Sequence, residues 1–172
     1  MKIKLSTLEN IPEIMTIIKD AKELLASLKI DQWQNGYPNA AQVEQDILKG
    51  ESYVVLSEEN QVIATSMFTT NKEPTYQIIE EGTWKVDESK NYGVMHRMAI
   101  KKEYRKQGLA TLLFDEFHQQ LKSKNIQSLK IDTHEENLGM QALIKKIGYQ
   151  YCGVIYTNYG AKRLAFEKVI QK

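Results

Sequence analysis

Hydrophobic and polar positions recur along the chain with two periods, and the switches between them predict its helices and strands. A period near 3.6 residues predicts helices over residues 11–29, 41–49, 109–121 and 138–147. Alternation and short β-branched runs predict strands over residues 3–5, 53–57, 61–69, 92–100, 128–133, 150–157 and 163–169. Residues 70–90 fit neither period. This order predicts an α/β (α+β) fold, a mixed, mostly antiparallel sheet of six or seven strands with helices on both faces.

Capping residues mark the predicted helix boundaries. Asn10 can cap the first helix, Pro12 is tolerated in its first turn, and Glu13 completes a capping box. Gly50 and Gly148 are expected to end the second and fourth helices. The third helix is expected to bury one face, formed by Leu109, Leu112, Leu113, Phe117 and Leu121. The inward residues expected of the fourth are Met140, Leu143, Ile144 and Ile147.

Length and composition fit one globular domain over residues 1–172. The net charge of +1 argues against a broad surface for nucleic acid or membrane. Cys152 is the single cysteine, so it forms no internal disulfide and fits a reducing compartment. Neither a secretion signal nor a membrane-spanning run is evident. We therefore expect a cytoplasmic protein.

One turn between a predicted strand and a predicted helix carries little side-chain bulk. Residues 105–111 join the strand at 92–100 to the helix at 109–121. Gly108 and Ala110 are the small residues of this turn. The first N–H groups of a helix have no partner within it and carry partial positive charge. Because small residues let anion oxygens approach those groups closely, the turn predicts a phosphate site.

Basic residues surround this turn in a chain of near-neutral charge. Residues 101–106 carry a local charge of +3, since Glu103 opposes the basic Lys101, Lys102, Arg105 and Lys106. The turn is not a Walker A loop, because it lacks a Gly-Lys-Ser/Thr ending, and it does not match the Rossmann fingerprint. A nucleic-acid-binding function is a further interpretation, and this basic cluster is its only support in the sequence.

Two motifs resemble those of the GNAT acyltransferases. Arg105-x-x-Gly108-x-Ala110, preceded by Met98-Ala99-Ile100, resembles the acyl-CoA-binding pattern Arg/Gln-x-x-Gly-x-Gly/Ala of that family. Residues 137–149 resemble its second signature, an Asn followed by a helix and then Lys-x-Gly-Phe/Tyr. Because both motifs occur in the expected order, and the element order also resembles the GNAT fold, the likeness covers nearly the whole chain.

The resemblance implies acetyl-CoA as a co-substrate and no metal. Backbone groups of Met98 and Ile100 would pair with the pantetheine arm as an added strand does. Asn137 would lie near the pantetheine at the start of the next helix, where it also suits an N-cap. The cofactor-binding turn comprises Arg105, Lys106, Gln107, Gly108, Leu109, Ala110 and Thr111, whose N–H groups from Lys106 onward would cradle the pyrophosphate.

Acyl transfer to an amine needs a base, an oxyanion donor and an acid for the sulfur. By analogy with the family, the N–H of Met98 or Ala99 polarises the carbonyl. Our candidates for the base are His134 and His96, because histidine titrates near neutral pH, with Asp132 and Glu135 as further candidates. Ordered water is an alternative, and His118 is expected to be structural.

The chain departs from the family at the acid. The family often has a tyrosine seven residues after the Asn, where this chain has Ile144, which cannot donate a proton. Tyr149, Tyr151, Tyr156 or water could take that role, and the sequence does not choose among them.

Three aromatic residues, Trp33, Tyr37 and Trp84, lie in segments that flank the substrate cleft in the family. They are candidates for substrate binding, and the alternative is that they anchor loops or the core.

The resemblance thus implies an N-acetyltransferase that moves an acetyl group from the CoA thioester to a primary amine of a small molecule or peptide by direct attack. A non-catalytic acyl-CoA-binding or sensor domain is the alternative. The acceptor and the oligomeric state are left open, although the closing hairpin could pair two copies as a homodimer.

Overall fold

Seven strands form a mixed sheet in the computed structural model, which describes residues 1–87 and 89–170. The strands are β1 (Lys2–Leu5), β2 (Ser52–Leu56), β3 (Val62–Thr69), β4 (Gly93–Ile100), β5 (Ser128–Thr133), β6 (Gln150–Tyr156) and β7 (Lys162–Val169). Their order in the sheet is β1-β2-β3-β4-β5-β7-β6. β4 and β5 run parallel, whereas β1 with β2, β2 with β3, β5 with β7 and β6 with β7 pair antiparallel.

Four α-helices complete the described chain: α1 (Ile11–Ser27), α2 (Ala40–Leu48), α3 (Leu109–Ser123) and α4 (Leu138–Lys146). Short 3-10 turns occur at Leu8–Asn10, Pro74–Tyr76 and Lys102–Tyr104. The predicted fold class, a mixed α/β sheet of six or seven strands, is confirmed. None of the helices among residues 1–87 and 89–170 combines the length and apolar character that a membrane span requires.

The chain divides into two compact units, and β3, β4 and α3 each contribute residues to both. The first unit comprises Met1–Phe68 and His96–Phe114. The second comprises Thr69–Met95 and the chain from Asp115 onward. The single domain expected from length stays a prediction.

The core of the first unit lies between α1, α2 and the strands. Helical spacing puts Ile14, Ile17 and Ile18 on one face of α1, and all three are buried. They cluster with Val43, Val54, Leu56, Val62 and Ala99. Burying each such side chain contributes roughly 1.5–3 kcal/mol, so this face is what holds α1 in place.

The capping box expected at Asn10 and Glu13 is wrong. Asn10 Oδ1 accepts a hydrogen bond from the backbone N–H of Thr7 at 2.9 Å, one turn earlier. Glu13 Oε2 accepts from the backbone N–H of Val62 at 3.0 Å. Glu13 therefore ties α1 to the first residue of β3, because a strand donor competes successfully for the carboxylate.

The core of the second unit is aromatic. Tyr76, Tyr92, Val94, Ile155 and Ala165 form a buried cluster. The irregular segment before β4 is held to the sheet by its backbone, since Glu80 and Val154 exchange two N–H···O bonds of 2.8 Å. Glu167 of β7 also accepts from the backbone N–H groups of Lys85 and Val86.

The predicted inward faces of α3 and α4 need correction at single positions. Leu112 is 39% exposed, whereas Phe114 is fully buried in α3. In α4, Gln141 is buried along with Ile144. Gln141 Nε2 donates to the backbone carbonyl of Glu135 at 2.7 Å, so this polar side chain closes the loop that precedes its own helix.

Candidate functional site

The turn before α3 has the backbone geometry of an anion-binding loop. Lys106 and Gly108 both adopt the left-handed conformation, with φ of 62° and 83°. The first helical hydrogen bond runs from Leu112 N–H to the Gly108 carbonyl at 3.0 Å. The N–H groups of residues 109–111 therefore precede the first bond of the helix and have no partner within it.

Gly108 leaves the space in front of these donors open. A Cβ built at Gly108 would have no atom within 4 Å among the described residues. A left-handed φ favours glycine, because a side chain there crowds the backbone. The turn thus combines donors, the positive end of a helix dipole and room for oxygen atoms.

Arg105 brings a buried cationic donor to the same turn. Its Nε donates to the carbonyl of Ile100 at 3.2 Å. Its Nη2 is buried and has no hydrogen-bond partner among residues 1–87 and 89–170. A buried donor without a partner costs about 1–3 kcal/mol, and guanidinium groups bind phosphates with strong, charge-assisted bonds. The turn therefore has N–H donors and a cationic side chain of the kind that binds phosphate, and phosphate binding there stays a prediction.

The other predicted residues of the turn divide into exposed and buried positions. Lys106 and Gln107 are exposed, whereas Leu109 and Ala110 are buried. Gln107 Nε2 donates to the carbonyl of Glu103 at 2.8 Å, so its side chain supports the turn. Thr111 is half-buried in the first turn of α3.

Arg97 interrupts β4 in a way that sequence reasoning missed. It lies within the strand but has a left-handed φ of 56°. Its Nε donates to Asp46 Oδ2 at 2.8 Å, and its Nη2 donates to Asp46 Oδ1 at 2.7 Å. Its Nη1 donates to the hydroxyl of Tyr37 at 2.6 Å. The side chains of Arg97 and Asp46 are only 10% and 5% exposed.

This ion pair keeps Arg97 charged. Burial alone lowers the pKa of Arg97, but the neighbouring Tyr37 hydroxyl and Asp46 carboxylate raise that pKa above its ordinary value. A small cavity adjoins the pair and is bounded by Ile14, Ile18, Val43, Asp46, Ser52, Thr65, Ser66, Met67 and Arg97. The hydroxyl of Tyr37, a predicted substrate-binding residue, thus accepts a hydrogen bond from Arg97 of β4.

The two tryptophans predicted for the substrate pocket both have anchoring contacts. Trp33 is partly buried and packs against the core of the first unit. Trp84 Nε1 donates to the carbonyl of Tyr76 at 2.9 Å, and the two rings lie 5.1 Å apart. Lys130 Nζ lies 4.4 Å from the centre of the Trp84 ring. Substrate contact by either tryptophan stays a prediction.

The two histidines predicted as bases are both half-buried. His134 follows β5, and its Nδ1 accepts a hydrogen bond from the backbone N–H of Glu136 at 3.1 Å. In the neutral ring this arrangement leaves the proton on Nε2, which is then the donor atom of the ring. His96 lies on β4, where its carbonyl accepts from the Ser66 hydroxyl at 3.3 Å. Their catalytic roles stay predictions.

His118, expected to be structural, is buried together with Tyr149, one of the candidate acids. His118 Nε2 and the Tyr149 hydroxyl lie 2.9 Å apart in a hydrogen bond. Burial, helped by the charge of Lys168, lowers the pKa of His118 to about 4. Burial also raises the pKa of Tyr149 well above its usual value. Tyr151 and Tyr156, the other acid candidates, are each 44% exposed.

The remaining candidates lie around β5 and α4. Asp132 Oδ2 accepts from the Tyr76 hydroxyl at 2.7 Å, while Glu135 pairs with Lys162 at 3.1 Å. Asn137 caps α4, since its Oδ1 accepts from the Met140 N–H at 3.1 Å. Ile144 is fully buried. Among the described residues, no group of three or more His, Cys, Asp or Glu side chains is placed to hold a metal ion.

Met98 and Ile100 are half-buried on β4, after the left-handed residue. The Ile100 carbonyl already accepts from Arg105, which links the strand to the turn before α3. Pairing of these two residues with pantetheine stays a prediction.

Comparison with known proteins places the chain among acetyltransferases. Residues 18–149 match the model of the acetyltransferase (GNAT) family. A GNAT-family acetyltransferase from Streptococcus agalactiae 2603 is 32% identical, with a TM-score of 0.88 over 99% of this chain and 96% of that protein. Among curated proteins, no sequence matched.

More distant structures share the fold. The NatB acetyltransferase complex bound to CoA and MES is similar with 13% identity and a TM-score of 0.70, over 99% of this chain and 100% of that one. A ribosomal-protein-alanine N-acetyltransferase from Brucella melitensis has 15% identity and a TM-score of 0.66, over 98% and 99%. Since the family model spans most of the chain and the streptococcal relative spans nearly all of it, the chain belongs to the acetyltransferase (GNAT) family.

Proposed function

We propose that this acyltransferase is an acetyl-CoA-dependent N-acetyltransferase that acts on a primary amine. Membership in the family supports acyl transfer from CoA in general. The observation that carries the proposal is Arg105 Nη2, a buried donor without a partner among the described residues, in the turn that leads to the N-terminus of α3 at Leu109. A polyphosphate would satisfy both features.

The chain's own groups would hold the coenzyme along two stretches of the first unit. The side chain of Arg105 and the N–H groups of residues 106–111 would bind the pyrophosphate. Backbone groups of Met98 and Ile100 would bind the pantetheine arm as an added strand. Asn137 is proposed to contact the same arm while it caps α4.

Bound acetyl-CoA supplies an acyl group activated as a thioester, with a thiolate as its leaving group. The N–H of Met98 or Ala99 would donate to the carbonyl oxygen, on which negative charge develops. The attacking amine must be neutral, so a base or water must take its proton before or during attack.

His134 and His96 remain the proposed bases. For His134 to accept a proton at Nε2, the ring must first hold its own proton at Nδ1, which requires breaking the bond from Glu136. Until then the neutral ring can only donate a hydrogen bond through its Nε2–H, because a neutral imidazole does not release this proton to a thiolate.

The acid for the sulfur must come from somewhere other than position 144. Tyr149 holds its hydroxyl against His118 in the interior of the second unit, so it is poorly placed to meet a ligand. Tyr151 and Tyr156 are accessible, and water is the remaining donor.

The acceptor is proposed to be a primary amine of a small molecule or a peptide, contacted by Trp33, Tyr37 and Trp84. The Brucella relative carries the name of a protein-alanine acetyltransferase, but a likeness at 15% identity shows the fold alone. The acceptor class is therefore left at primary amines in general. We place the reaction in the cytoplasm, because a single cysteine fits a reducing compartment.

A thiol-release assay tests this proposal. The wild-type chain is incubated with acetyl-CoA and pools of primary amines, and free CoA thiol is followed against a control without amine. Amine-dependent release supports the enzyme. Binding of acetyl-CoA without release on any amine pool supports the sensor alternative, which Ile144 at the usual tyrosine position favours. Absence of CoA binding at millimolar concentration would contradict both.

A further inference from the structure

We infer that Arg97 is a positioning residue of the acyl-donor site, since its side chain, fixed by Asp46 and Tyr37, holds β4 in the left-handed conformation that directs the next two N–H groups. This inference rests on the proposed function, in which the N–H of Met98 or Ala99 meets the acyl carbonyl.

The backbone at Arg97 opposes the intrinsic preference of the residue. A side chain with φ of 56° places its Cβ against the neighbouring carbonyl oxygen, so residues other than glycine avoid this region. In a strand the conformation also breaks the alternation of side chains across the sheet. Such a conformation persists only where surrounding contacts enforce it.

The contacts that enforce it all belong to the first unit. Asp46 of α2 accepts two bonds from the guanidinium group, and Tyr37 accepts a third. Asp46 is itself fixed, because Gln42 Nε2 donates to its Oδ1 at 3.0 Å. A planar guanidinium group bound on three sides has little freedom, so the orientation of its backbone is set by α2 and the loop before it.

The consequence appears in the residues that follow. Rotation of the backbone at position 97 sets the direction of the Met98 N–H and, through it, that of Ala99. A donor aimed at a developing oxyanion stabilises it only if its direction is fixed in advance. Arg97 therefore acts on the acyl carbonyl through its own backbone. Tyr37, in the candidate acceptor loop, is linked to position 97 by its hydrogen bond with the Arg97 side chain.

The test uses two variants that both lose the side chain but differ in backbone preference. Arg97→Ala and Arg97→Gly are each combined with Asp46→Asn, so that no buried carboxylate is left unpaired. Glycine adopts the left-handed conformation freely, whereas alanine does not. Calorimetry measures the affinity of each variant for acetyl-CoA and for CoA, and circular dichroism measures its thermal midpoint.

We expect the alanine variant to lose about tenfold of its affinity for acetyl-CoA relative to CoA, since one hydrogen bond to the carbonyl is lost. The glycine variant should stay within about threefold of the wild-type ratio. A merely structural role would lower the midpoint of both variants, or weaken both ligands alike, without changing this ratio. Equal ratios in the two variants would overturn the inference.

Tyr37→Phe keeps the test decisive if the double variants do not fold. It removes one of the three bonds of Arg97 without unpairing a charge, and we expect about a threefold fall in the same ratio. Tyr159→Phe is the matched control, because Tyr159 also bonds a buried arginine, Arg163 Nη2, at 3.2 Å. An unchanged ratio in Tyr37→Phe would count against the inference. Wild-type protein that binds neither ligand would overturn the proposed function itself.

Discussion

The turn at Gly108 and the turn at Gly160 share a backbone conformation but differ in how their donors are used. Both glycines are left-handed, with φ of 83° and 80°. A Cβ at either position would have no atom within 4 Å among the described residues. The two turns therefore share a left-handed glycine with open space beside it, and they differ in how their polar groups are bonded.

The Gly160 turn satisfies its own polar groups. Gly160 N–H donates to the Thr157 carbonyl, and Thr157 N–H donates to the Ala161 carbonyl, each at 2.9 Å. Ala161 N–H donates to the Thr157 hydroxyl, also at 2.9 Å. At Gly108, by contrast, the helix N–H groups lack partners within the helix and Arg105 Nη2 lacks one in the described chain. Unused donors, more than the glycine itself, are thus the basis of the proposed ligand site.

The largest difference in CoA affinity is expected when Gly108 and Gly160 are each replaced by glutamate. Gly108→Glu places a negative charge where the pyrophosphate is proposed to bind, and we expect CoA affinity to fall about a thousandfold. Gly160→Glu carries the same backbone strain and the same charge, so its CoA affinity should stay within about twofold of wild type. Calorimetry with CoA measures both. Similar affinities in the two variants would remove the site from the Gly108 turn.

His118 and His134 differ in a similar way, because the His118 ring is hydrogen-bonded inside the protein. We therefore expect His118 to affect stability and not CoA binding. Its folded pKa of about 4 lies below the unfolded value near 6.5, so between these values the unfolded chain binds a proton that the folded chain does not. Stability from this group is complete above pH 6.5 and falls by about 3 kcal/mol as the pH drops to 4. His118→Gln should remove this loss while CoA affinity stays unchanged.

Urea unfolding at pH 7 and pH 4 measures the His118 effect. The difference in unfolding free energy between the two pH values should be about 3 kcal/mol smaller in the variant than in the wild type. If the unfolding free energy of the variant and that of the wild type depended on pH in the same way, His118 would not titrate as its buried position requires.

His134 should affect turnover alone, because it is a proposed base and lies outside the proposed cofactor-binding turn. If it moves a proton in the reaction, His134→Ala should lower kcat about a hundredfold at neutral pH with little change in CoA affinity. The thiol-release assay measures kcat on any amine that supports turnover. A wild-type pH–rate profile in the variant would remove His134 from the catalytic residues.

A smaller effect than at Gly108, His118 or His134 is expected at Arg105. Arg105→Gln removes the buried cationic donor, and CoA affinity should fall about tenfold because a hydrogen bond to a charged group is lost. The free energy of unfolding should change little, since the lost bond from Arg105 Nε to the Ile100 carbonyl is offset by removal of Nη2, a buried donor without a partner among the described residues. Calorimetry measures the CoA affinity, and urea unfolding measures the free energy of unfolding. A loss of stability without a loss of affinity would assign Arg105 a structural role.

Local patterns predicted the elements of the fold closely. β5 begins and ends at the predicted residues, and α3 begins at Leu109 as expected. These boundaries depend on side-chain periodicity and turn residues near each other in the chain. The family motifs likewise placed a glycine turn at the start of α3.

Long-range contacts could not be predicted in this way. Glu13 reaches a donor 49 residues away, and Arg97 bonds residues 51 and 60 positions away. Arginine has no local preference for a left-handed φ, so nothing near position 97 signals its conformation. Residues 70–90 showed no period because Glu80 and Glu167 hold part of that segment through backbone groups, which leave no trace in the side-chain pattern.

Cys152 has a practical consequence for the enzymology. The only sulfhydryl of the chain is buried in β6, and burial, reinforced by the Glu167 carboxylate, raises the pKa of Cys152 to about 11. Because the thiolate is the reactive form, a chromogenic disulfide reagent at neutral pH will titrate released coenzyme and leave the native protein unmodified. Continuous colorimetric screening of amine libraries is therefore feasible without a background signal from the catalyst or its inactivation by the dye.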